Sequence, residues 1–203
     1  MNRGFLVILA ALAFVFAVLT GLAVRRGVLA PPAQTAAIGG PFHLTDPSGR
    51  SVDQDVLKGR WSAVFFGYSY CPDACPTTLF ALAQAEKALG PRAADFQTVF
   101  ISVDPARDTP QVLANYLKNP AFPQHVVGLT GTPAQVAEAA HAYKVFYQTE
   151  GKGPDYTVNH STFAYLMNPK GRFVCVIPYD TAPQAIAAKV EAAMARGSGA
   201  DAC

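Results

Sequence analysis

The sequence predicts an α/β domain with a mixed central sheet, preceded by one apolar helix at the N terminus. Two observations predict the domain: strand-like apolar runs alternate with helical segments, and two late strands are joined by a tight turn. A third observation, the almost wholly apolar segment 5–24, predicts the N-terminal helix. The 203 residues are enough for one domain with a proper core plus an appendage.

The apolar segment 5–24 has roughly the twenty residues needed to cross the hydrocarbon core of a bilayer. A cleaved signal peptide is the alternative, but the apolar run exceeds the roughly 7–15 residues of a usual signal-peptide core. We therefore predict an uncleaved membrane anchor over residues 1–26 and a Pro- and Gly-containing linker over residues 27–41. Arg3 on one side nearly balances Arg25 and Arg26 on the other, so charge leaves the orientation open.

The domain is expected over residues 42–197, followed by a C-terminal tail, 198–203. It begins with a hairpin around the Asp-Pro-Ser-Gly turn within residues 42–52. Residues 61–68, WSAVFFGY, form a continuous apolar run, which is typical of a central strand buried on both faces. A helix is predicted to follow over residues 77–89, where apolar residues recur at three-four spacing until Gly90-Pro91 stops it.

Further elements follow in alternation. Strands are predicted over 96–103 and 125–129, and helices over 109–117, 132–143 and 182–195, with a β-hairpin over 162–168 and 172–177. A late antiparallel hairpin followed by a last helix is the thioredoxin-like arrangement. Because sites in open α/β sheets lie beyond the carboxyl ends of the strands, the end of strand 61–68 is where a site is expected.

The charge of the chain argues against nucleic acid as a partner. The net charge is +2, charged residues make up 15% of the chain, and no stripe of Lys and Arg residues appears.

Cys71 and Cys75, in FFGYSYCPDACPTTL, lie between the predicted central strand and its helix. Pro76 suits the first turn of a helix, which places Cys75 at or beside the cap. Backbone N–H groups and the helix dipole favour anions there, so we expect at least Cys75 to be reactive, with a lowered pKa. The spacing is one residue longer than the Cys-x-x-Cys of thiol–disulfide enzymes, which weakens that match without excluding a disulfide. It also leaves room for both sulfurs to face one ion.

His160, in VNHSTFAYLMNPKGRF, is the candidate for a third ligand. It precedes the late hairpin at about the place where thioredoxin-like proteins carry a cis-proline packed against their cysteine pair. A lone histidine is usually structural, but this position beside the cysteines favours a ligand. Two thiolates with an imidazole select Cu(I), Cu(II) or Zn(II) over Mg or Ca.

Three aspartates lie near these segments. Asp73 is interpreted as a helix cap, with an outer-shell oxygen for the metal as the alternative. Asp104 and Asp108, in SVDPARDTP, follow a strand on the same rim, and capping and a role at the site both stay open for them.

The other histidines and cysteines are given structural interpretations. His43, His125 and His141 have no partner at ligand spacing. Cys175, within FVCVI, is interpreted as a small buried apolar residue, and a bond to the terminal Cys203 has no support in the sequence.

Taken together, FFGYSYCPDACPTTL, ISVDPARDTP and VNHSTFAYLMNPKGRF resemble the Sco/SenC family of copper-delivery proteins over about residues 38–196. The resemblance implies a thioredoxin-like fold tethered to the bacterial inner membrane by one helix, with the domain in the periplasm. It implies one copper ion, Cu(I) or Cu(II), bound by Cys71, Cys75 and His160, and a reversible Cys71–Cys75 disulfide. It further implies delivery of copper from a donor protein to the binuclear copper centre of cytochrome c oxidase subunit II, or a similar acceptor, and reduction of that subunit's cysteines.

Two alternatives to a copper metallochaperone remain. The first is a membrane-tethered thiol–disulfide oxidoreductase without a role in metal delivery, in which one cysteine attacks a substrate disulfide and the other resolves it. The second, a peroxidatic thiol enzyme, is disfavoured because Gly67 stands four residues before Cys71 and no arginine is obviously placed for that chemistry.

Overall fold

The computed structural model describes residues 2–25 and 38–197. The chain divides into two compact units, residues 1–37 and 38–203. Most of the predicted linker, from residue 27 to 37, and the predicted tail, 198–203, lie outside the described residues.

The described part of the first unit, residues 2–25, forms helix α1 (Arg3–Arg25). Its stretch Gly4–Leu22 has a mean hydropathy of 2.8, and its length and composition suffice to cross a membrane. A signal sequence near an N terminus has the same two properties. The predicted apolar helix is therefore present.

The second unit is built on a five-stranded mixed sheet with the order β5-β4-β3-β8-β9. The parallel strands are β3 (Trp61–Gly67), β4 (Phe96–Ser102) and β5 (Val126–Leu129). The antiparallel strands β8 (Ala164–Met167) and β9 (Phe173–Ile177) continue the sheet beside β3. This is the predicted thioredoxin-like arrangement, with the strand that leads to Cys71 at its centre.

Among the described residues, two small hairpins form two-stranded sheets of their own. The first, β1 (His43–Thr45) with β2 (Ser51–Asp53), is the predicted N-terminal hairpin. The second, β6 (Tyr147–Glu150) with β7 (Thr157–His160), was not predicted from the sequence. Its residues are mostly exposed, so no buried apolar run marks either strand.

Within residues 38–197, four α-helices flank the sheet: α2 (Ala74–Ala88), α3 (Pro110–Leu117), α4 (Pro133–Ala142) and α5 (Pro183–Arg196). Helix α2 begins three residues earlier than predicted, at Ala74. Helices α3 and α4 start as predicted, because Thr109 and Thr132 accept hydrogen bonds from backbone N–H groups of the first turn and a proline follows each.

The core lies on both faces of the sheet. All seven residues of β3 and all seven of β4 are buried, as expected for central parallel strands covered by helices. Phe65 and Phe100, paired across these strands, pack edge to face at 5.9 Å between ring centroids. The buried end of β3 therefore gives the segment that follows it a fixed starting position.

Candidate metal centre

Cys71, Cys75 and His160 come together at the carboxyl end of β3. Cys71 lies in the short segment between β3 and α2, Cys75 in the first turn of α2, and His160 at the end of β7. Their ligand atoms all lie within 4.8 Å of one another, and Cys75 Sγ is 3.5 Å from His160 Nε2. Within the described ranges, this is the group of His, Cys, Asp and Glu side chains that could hold a metal ion. Both cysteines are free thiols.

The sulfur of Cys75 is fully buried and occupies space that Gly67 leaves open. A Cβ atom on Gly67 would lie 2.7 Å from Cys75 Sγ and 3.0 Å from the ring of Phe100. Since real Cβ atoms do not approach so closely, a side chain at this position would force the sulfur or the ring to move. The last residue of β3 is therefore a glycine because the cysteine sulfur needs the room.

The sulfur of Cys71 accepts a hydrogen bond from the start of α2. The Cys75 N–H donates to Cys71 Sγ at 3.3 Å, and the Cys71 N–H donates to the Tyr68 carbonyl at 3.2 Å. The N–H of a second helical residue is usually satisfied by the side chain of the cap. Here the Cys71 sulfur, in the preceding loop, accepts this hydrogen bond instead. The bond holds Cys71 at the N terminus of α2.

The two thiols differ strongly in pKa. The pKa of Cys71 is lowered to about 4, first by a hydrogen bond with the Cys75 side chain, next by one with the His160 side chain, and further by the backbone N–H groups of Cys75 and Asp73. Burial raises the pKa of Cys75 well above its ordinary value. The prediction that Cys75 has the lowered pKa was wrong. The amides of the first turn point at the Cys71 sulfur, while the Cys75 side chain points into the core.

The imidazole of His160 is oriented by its surroundings. Its Nδ1 lies 2.8 Å from the Ser161 carbonyl oxygen, and because a carbonyl can only accept, Nδ1 carries the proton. In this tautomer the Nε2 lone pair faces the sulfurs, with Nε2 3.5 Å from Cys75 Sγ. The rings of Tyr68 and Phe65 contact the imidazole edge to face, at 5.7 and 6.3 Å between centroids. Such supporting contacts fix the tautomer and orientation of a histidine ligand.

A cleft of about 350 Å³ opens onto the group. Tyr68, Cys71, Asp73, Val158 and His160 are among its lining residues, and Cys75 is not. Cys71 and His160 therefore face the approach to the site, and Cys75 lies behind them.

Asp73 occupies the cap position of α2, as interpreted from the sequence, but its carboxylate accepts no backbone N–H. Its oxygens instead accept hydrogen bonds from the hydroxyls of Thr77, at 3.2 Å, and Tyr179, at 3.4 Å. Among the described residues, its carboxylate is not a member of the Cys71–Cys75–His160 group.

Asp104 and Asp108 are buried, and each holds neighbouring segments in place. The carboxylate of Asp104 pairs with Arg107 at 2.5 Å and accepts the Tyr156 hydroxyl at 2.6 Å. In the part of the chain that the structure describes, Asp104 too stands outside the Cys71–Cys75–His160 group.

Asp108 accepts the backbone N–H of Ser69, at 3.0 Å, and the hydroxyls of Ser69 and Ser102, the latter at 2.6 Å. Burial raises the pKa of Asp108. Because Ser69 lies two residues before Cys71, Asp108 anchors the loop that carries the first sulfur.

The remaining histidines are structural or exposed, as predicted. His125 Nδ1 lies 2.6 Å from the buried carboxylate of Glu86, and His43 and His141 are exposed. Cys175 is half-buried and disulfide-bonded, so its interpretation as a small buried apolar residue was wrong. Cys203 lies outside the described residues.

Sequence reasoning missed Tyr68, Arg107 and Tyr156. The guanidinium carbon of Arg107 lies 3.7 Å from the centroid of the Tyr156 ring and 5.7 Å from that of Tyr68. No local spacing indicates contacts between residues 39 and 49 positions apart. All three residues nevertheless occur inside the segments that suggested the site or just before them.

Known proteins of one family are similar to this chain. The family model described as SCO1/SenC matches residues 30–195. Protein SenC of Rhodobacter capsulatus is 44% identical over 172 residues, which cover 83% of this chain and 74% of that protein. Protein SCO1 homolog 1, mitochondrial, of Arabidopsis thaliana is 43% identical over 155 residues, 75% of this chain. Those residues cover 45% of that relative, so the chain spans a little under half of its length.

A solved structure, described as Bradyrhizobium japonicum ScoI with copper bound, is also similar to this chain. It superposes with a TM-score of 0.70 at 43% identity, and the match covers 76% of this chain and 98% of that one. The likeness therefore extends over nearly the whole of a solved domain that is described with copper bound.

The asymmetry between the thiols predicts selective alkylation of the reduced, metal-free protein. At about pH 6, between the pKa of about 4 for Cys71 and the ordinary thiol value of about 8.5, iodoacetamide should modify Cys71 and leave Cys75 intact. The thiolate of Cys71 persists as the pH falls until the pH approaches 4, so its reactivity should fall only there. Peptide mapping by mass spectrometry measures both sites, with Cys71→Ser as the control. Preferential modification of Cys75 would contradict the assignment.

The packing at the end of β3 predicts that Gly67→Ala distorts the site. The added methyl group displaces the Cys75 sulfur or the Phe100 ring, and we expect the free energy of unfolding to fall by about 1–3 kcal/mol. Denaturant titration measures the loss. Gly40→Ala is the matched control, because a Cβ there meets the Ala142 Cβ at 3.4 Å, an ordinary contact. Equal stabilities of the two variants would show that Gly67 is not needed for the sulfur.

Proposed function

The chain belongs to the SCO1/SenC family, and we propose from this premise that it is a membrane-anchored metallochaperone that binds and delivers copper. The observation that carries the proposal is the meeting of two sulfurs and one imidazole nitrogen within 4.8 Å of one another. Soft thiolates with an imidazole suit Cu(I), and Cu(II) adds an oxygen or water ligand. Copper is the cargo here, with Cys71, Cys75 and His160 as its ligands, one ion per chain.

Binding copper changes the protonation of the pair. Cys71 meets the ion already as a thiolate, because its pKa is lowered to about 4. Cys75 meets it as a thiol, because burial raises its pKa, so the ion must displace the Cys75 proton. His160 contributes the lone pair on Nε2 without losing a proton.

Release proceeds by ligand exchange from the open side of the site. A ligand of the acceptor enters the cleft and meets Cys71 and His160, which line it, before it meets the buried Cys75. We propose that these two ligands are replaced first and that Cys75 is the last protein ligand to leave. The acceptor proposed from family membership is the binuclear copper centre of cytochrome c oxidase subunit II, or a similar copper enzyme, and a separate donor protein supplies the ion.

The proposed location is the bacterial inner membrane, with α1 as a single-pass anchor and the domain in the periplasm. The length and hydropathy of Gly4–Leu22 support the anchor. The disulfide at Cys175 supports an oxidising compartment, since such bonds are rare in the cytosol.

A second function, thiol–disulfide exchange, is favoured by the asymmetry of the cysteine pair. The partly exposed Cys71 thiolate attacks a substrate disulfide, forming a mixed disulfide and releasing one substrate thiolate. Cys75 then loses its proton and attacks Cys71 Sγ, which releases the second thiolate and leaves a Cys71–Cys75 disulfide. In this way the chain would reduce the cysteines of the copper acceptor while the chain itself is oxidised.

The His160→Ala variant separates metal binding from thiol chemistry. We expect it to weaken Cu(II) binding by more than the roughly 10–100-fold that the loss of an outer-shell partner costs, and to leave formation of the Cys71–Cys75 disulfide intact. Anaerobic copper titration and a thiol assay measure the two properties. His141→Ala, which removes an exposed histidine, is the matched control.

Two results would count against the proposal. If His160→Ala binds both copper states as the parent does, His160 is not a ligand. If the parent retains no copper after growth with copper yet reduces insulin disulfides rapidly without metal, the chain is a thiol–disulfide oxidoreductase.

A further inference from the structure

The hairpin that carries His160 forms a small sheet of its own. Strands β6 and β7 pair with each other in a two-stranded sheet, outside the five-stranded sheet that ends at Cys71. The cysteines therefore belong to the central scaffold, whereas the third ligand belongs to an element that pairs with no strand of the central sheet. Contacts other than strand pairing must therefore fix the distance between His160 and the two cysteines.

Arg107, in the loop between β4 and α3, contacts this hairpin through its guanidinium group. Its Nη1 donates to the carbonyl oxygens of Tyr156, at 2.9 Å, and Pro154, at 3.4 Å. The guanidinium carbon lies 3.7 Å from the centroid of the Tyr156 ring, within the range of a cation–π contact. Tyr156 directly precedes β7, so these contacts hold the residue just before the strand that ends in His160.

Asp104 completes the contact from the other side. Its carboxylate pairs with Arg107 Nε at 2.5 Å and accepts the Tyr156 hydroxyl at 2.6 Å. The side chains of Asp104 and Arg107 are only 4% and 14% exposed, so water screens this ion pair little. Tyr156 is thus held at its backbone carbonyl by the cation and at its hydroxyl by the anion.

The same guanidinium also contacts the segment that leads to Cys71. Its carbon lies 4.7 Å from the centroid of the Tyr70 ring and 5.7 Å from that of Tyr68. The Tyr68 hydroxyl accepts the Val158 N–H at 3.4 Å, and its ring contacts the His160 imidazole. One cation therefore bridges the loop before the first sulfur and the strand that carries the imidazole.

We infer that Arg107 is a positioning residue for the metal centre: its guanidinium, paired with Asp104, docks the β6–β7 hairpin and so sets His160 against the cysteine pair. This inference rests on the proposed function for its consequence in copper binding. The docking of the hairpin itself is a property of the metal-free protein and does not depend on copper. These contacts require a planar group with several N–H donors, because the guanidinium both stacks on the Tyr156 ring and donates hydrogen bonds.

The test compares Arg107→Ala and Arg107→Lys with the parent, as full-length reduced chains in detergent. In the metal-free proteins, we expect amide hydrogen exchange at residues 157–160 to accelerate by on the order of tenfold in Arg107→Ala, the factor expected for losing a charge-assisted hydrogen bond. Lysine keeps the positive charge beside Asp104 but lacks the planar guanidinium that stacks and donates several hydrogen bonds. It should therefore restore little protection of the amides at residues 157–160. Exchange in β3 and β4 should stay as in the parent.

Copper titration provides the second measurement. Cu(II) affinity should fall by roughly 10–100-fold in Arg107→Ala, the usual cost of losing an outer-shell partner. Arg50→Ala is the matched control, because it breaks another arginine–aspartate pair, with Asp46, in the turn between β1 and β2. It should leave both hairpin exchange and copper affinity as in the parent.

Parent-like exchange at residues 157–160 in a folded Arg107→Ala variant would overturn the inference, as would full protection in Arg107→Lys. If Arg107→Ala does not fold by circular dichroism, Tyr156→Phe replaces it, since this change removes only the hydroxyl that Asp104 accepts. It should also accelerate exchange, and parent-like exchange in it would overturn the inference equally. If the parent binds no copper, the proposed function fails, but the exchange result still decides whether Arg107 docks the hairpin.

Discussion

The hydrogen bond from the Cys75 backbone N–H to the Cys71 sulfur is the interaction on which the metal centre depends. It ties the loop after β3 to the first turn of α2 and makes the loop sulfur the acceptor for a helix amide that would otherwise lack a partner. Because Gly67 has no side chain, the Cys75 sulfur has room beside the end of β3. Asp108 fixes the backbone of Ser69 and thus the start of the same loop. The positions of both sulfurs follow from these local constraints.

The chemistry follows from the different surroundings of the two sulfurs. Cys71 is half-buried and lines the cleft with a lowered pKa, whereas Cys75 is buried with a raised one. The pair therefore combines one ready thiolate at the surface with one thiol behind it. Such a pair suits both steps proposed for this chain, since an incoming ion or an incoming disulfide meets the same sulfur first. His160 distinguishes metal binding from thiol–disulfide exchange, because metal binding at this site needs an imidazole ligand and thiol–disulfide exchange does not.

Much of the fold was predictable because its strongest signals are local. The apolar runs of β3 and β4 and the Thr-Pro starts of α3 and α4 correspond to buried strands and capped helices. The cysteine pair and His160 were also found from the sequence, since the motif around each is distinctive. The β6–β7 hairpin was missed because its strands are short and mostly exposed, so neither has an apolar periodicity. The assignment of the lowered pKa to Cys75 failed for another reason: proximity to a helix start does not reveal which side chain points at the amides and which is buried. The contacts of Arg107 with Tyr68 and Tyr156 were missed because they join residues 39 and 49 positions apart.

An X-ray absorption spectrum of the full-length chain, loaded with one equivalent of Cu(I) under anaerobic conditions, tests the central claim most directly, because it counts the atoms bound to the ion. The account predicts two sulfur neighbours and one imidazole nitrogen at the copper. A spectrum with sulfur neighbours alone, or with several nitrogens and no pair of sulfurs, would contradict it.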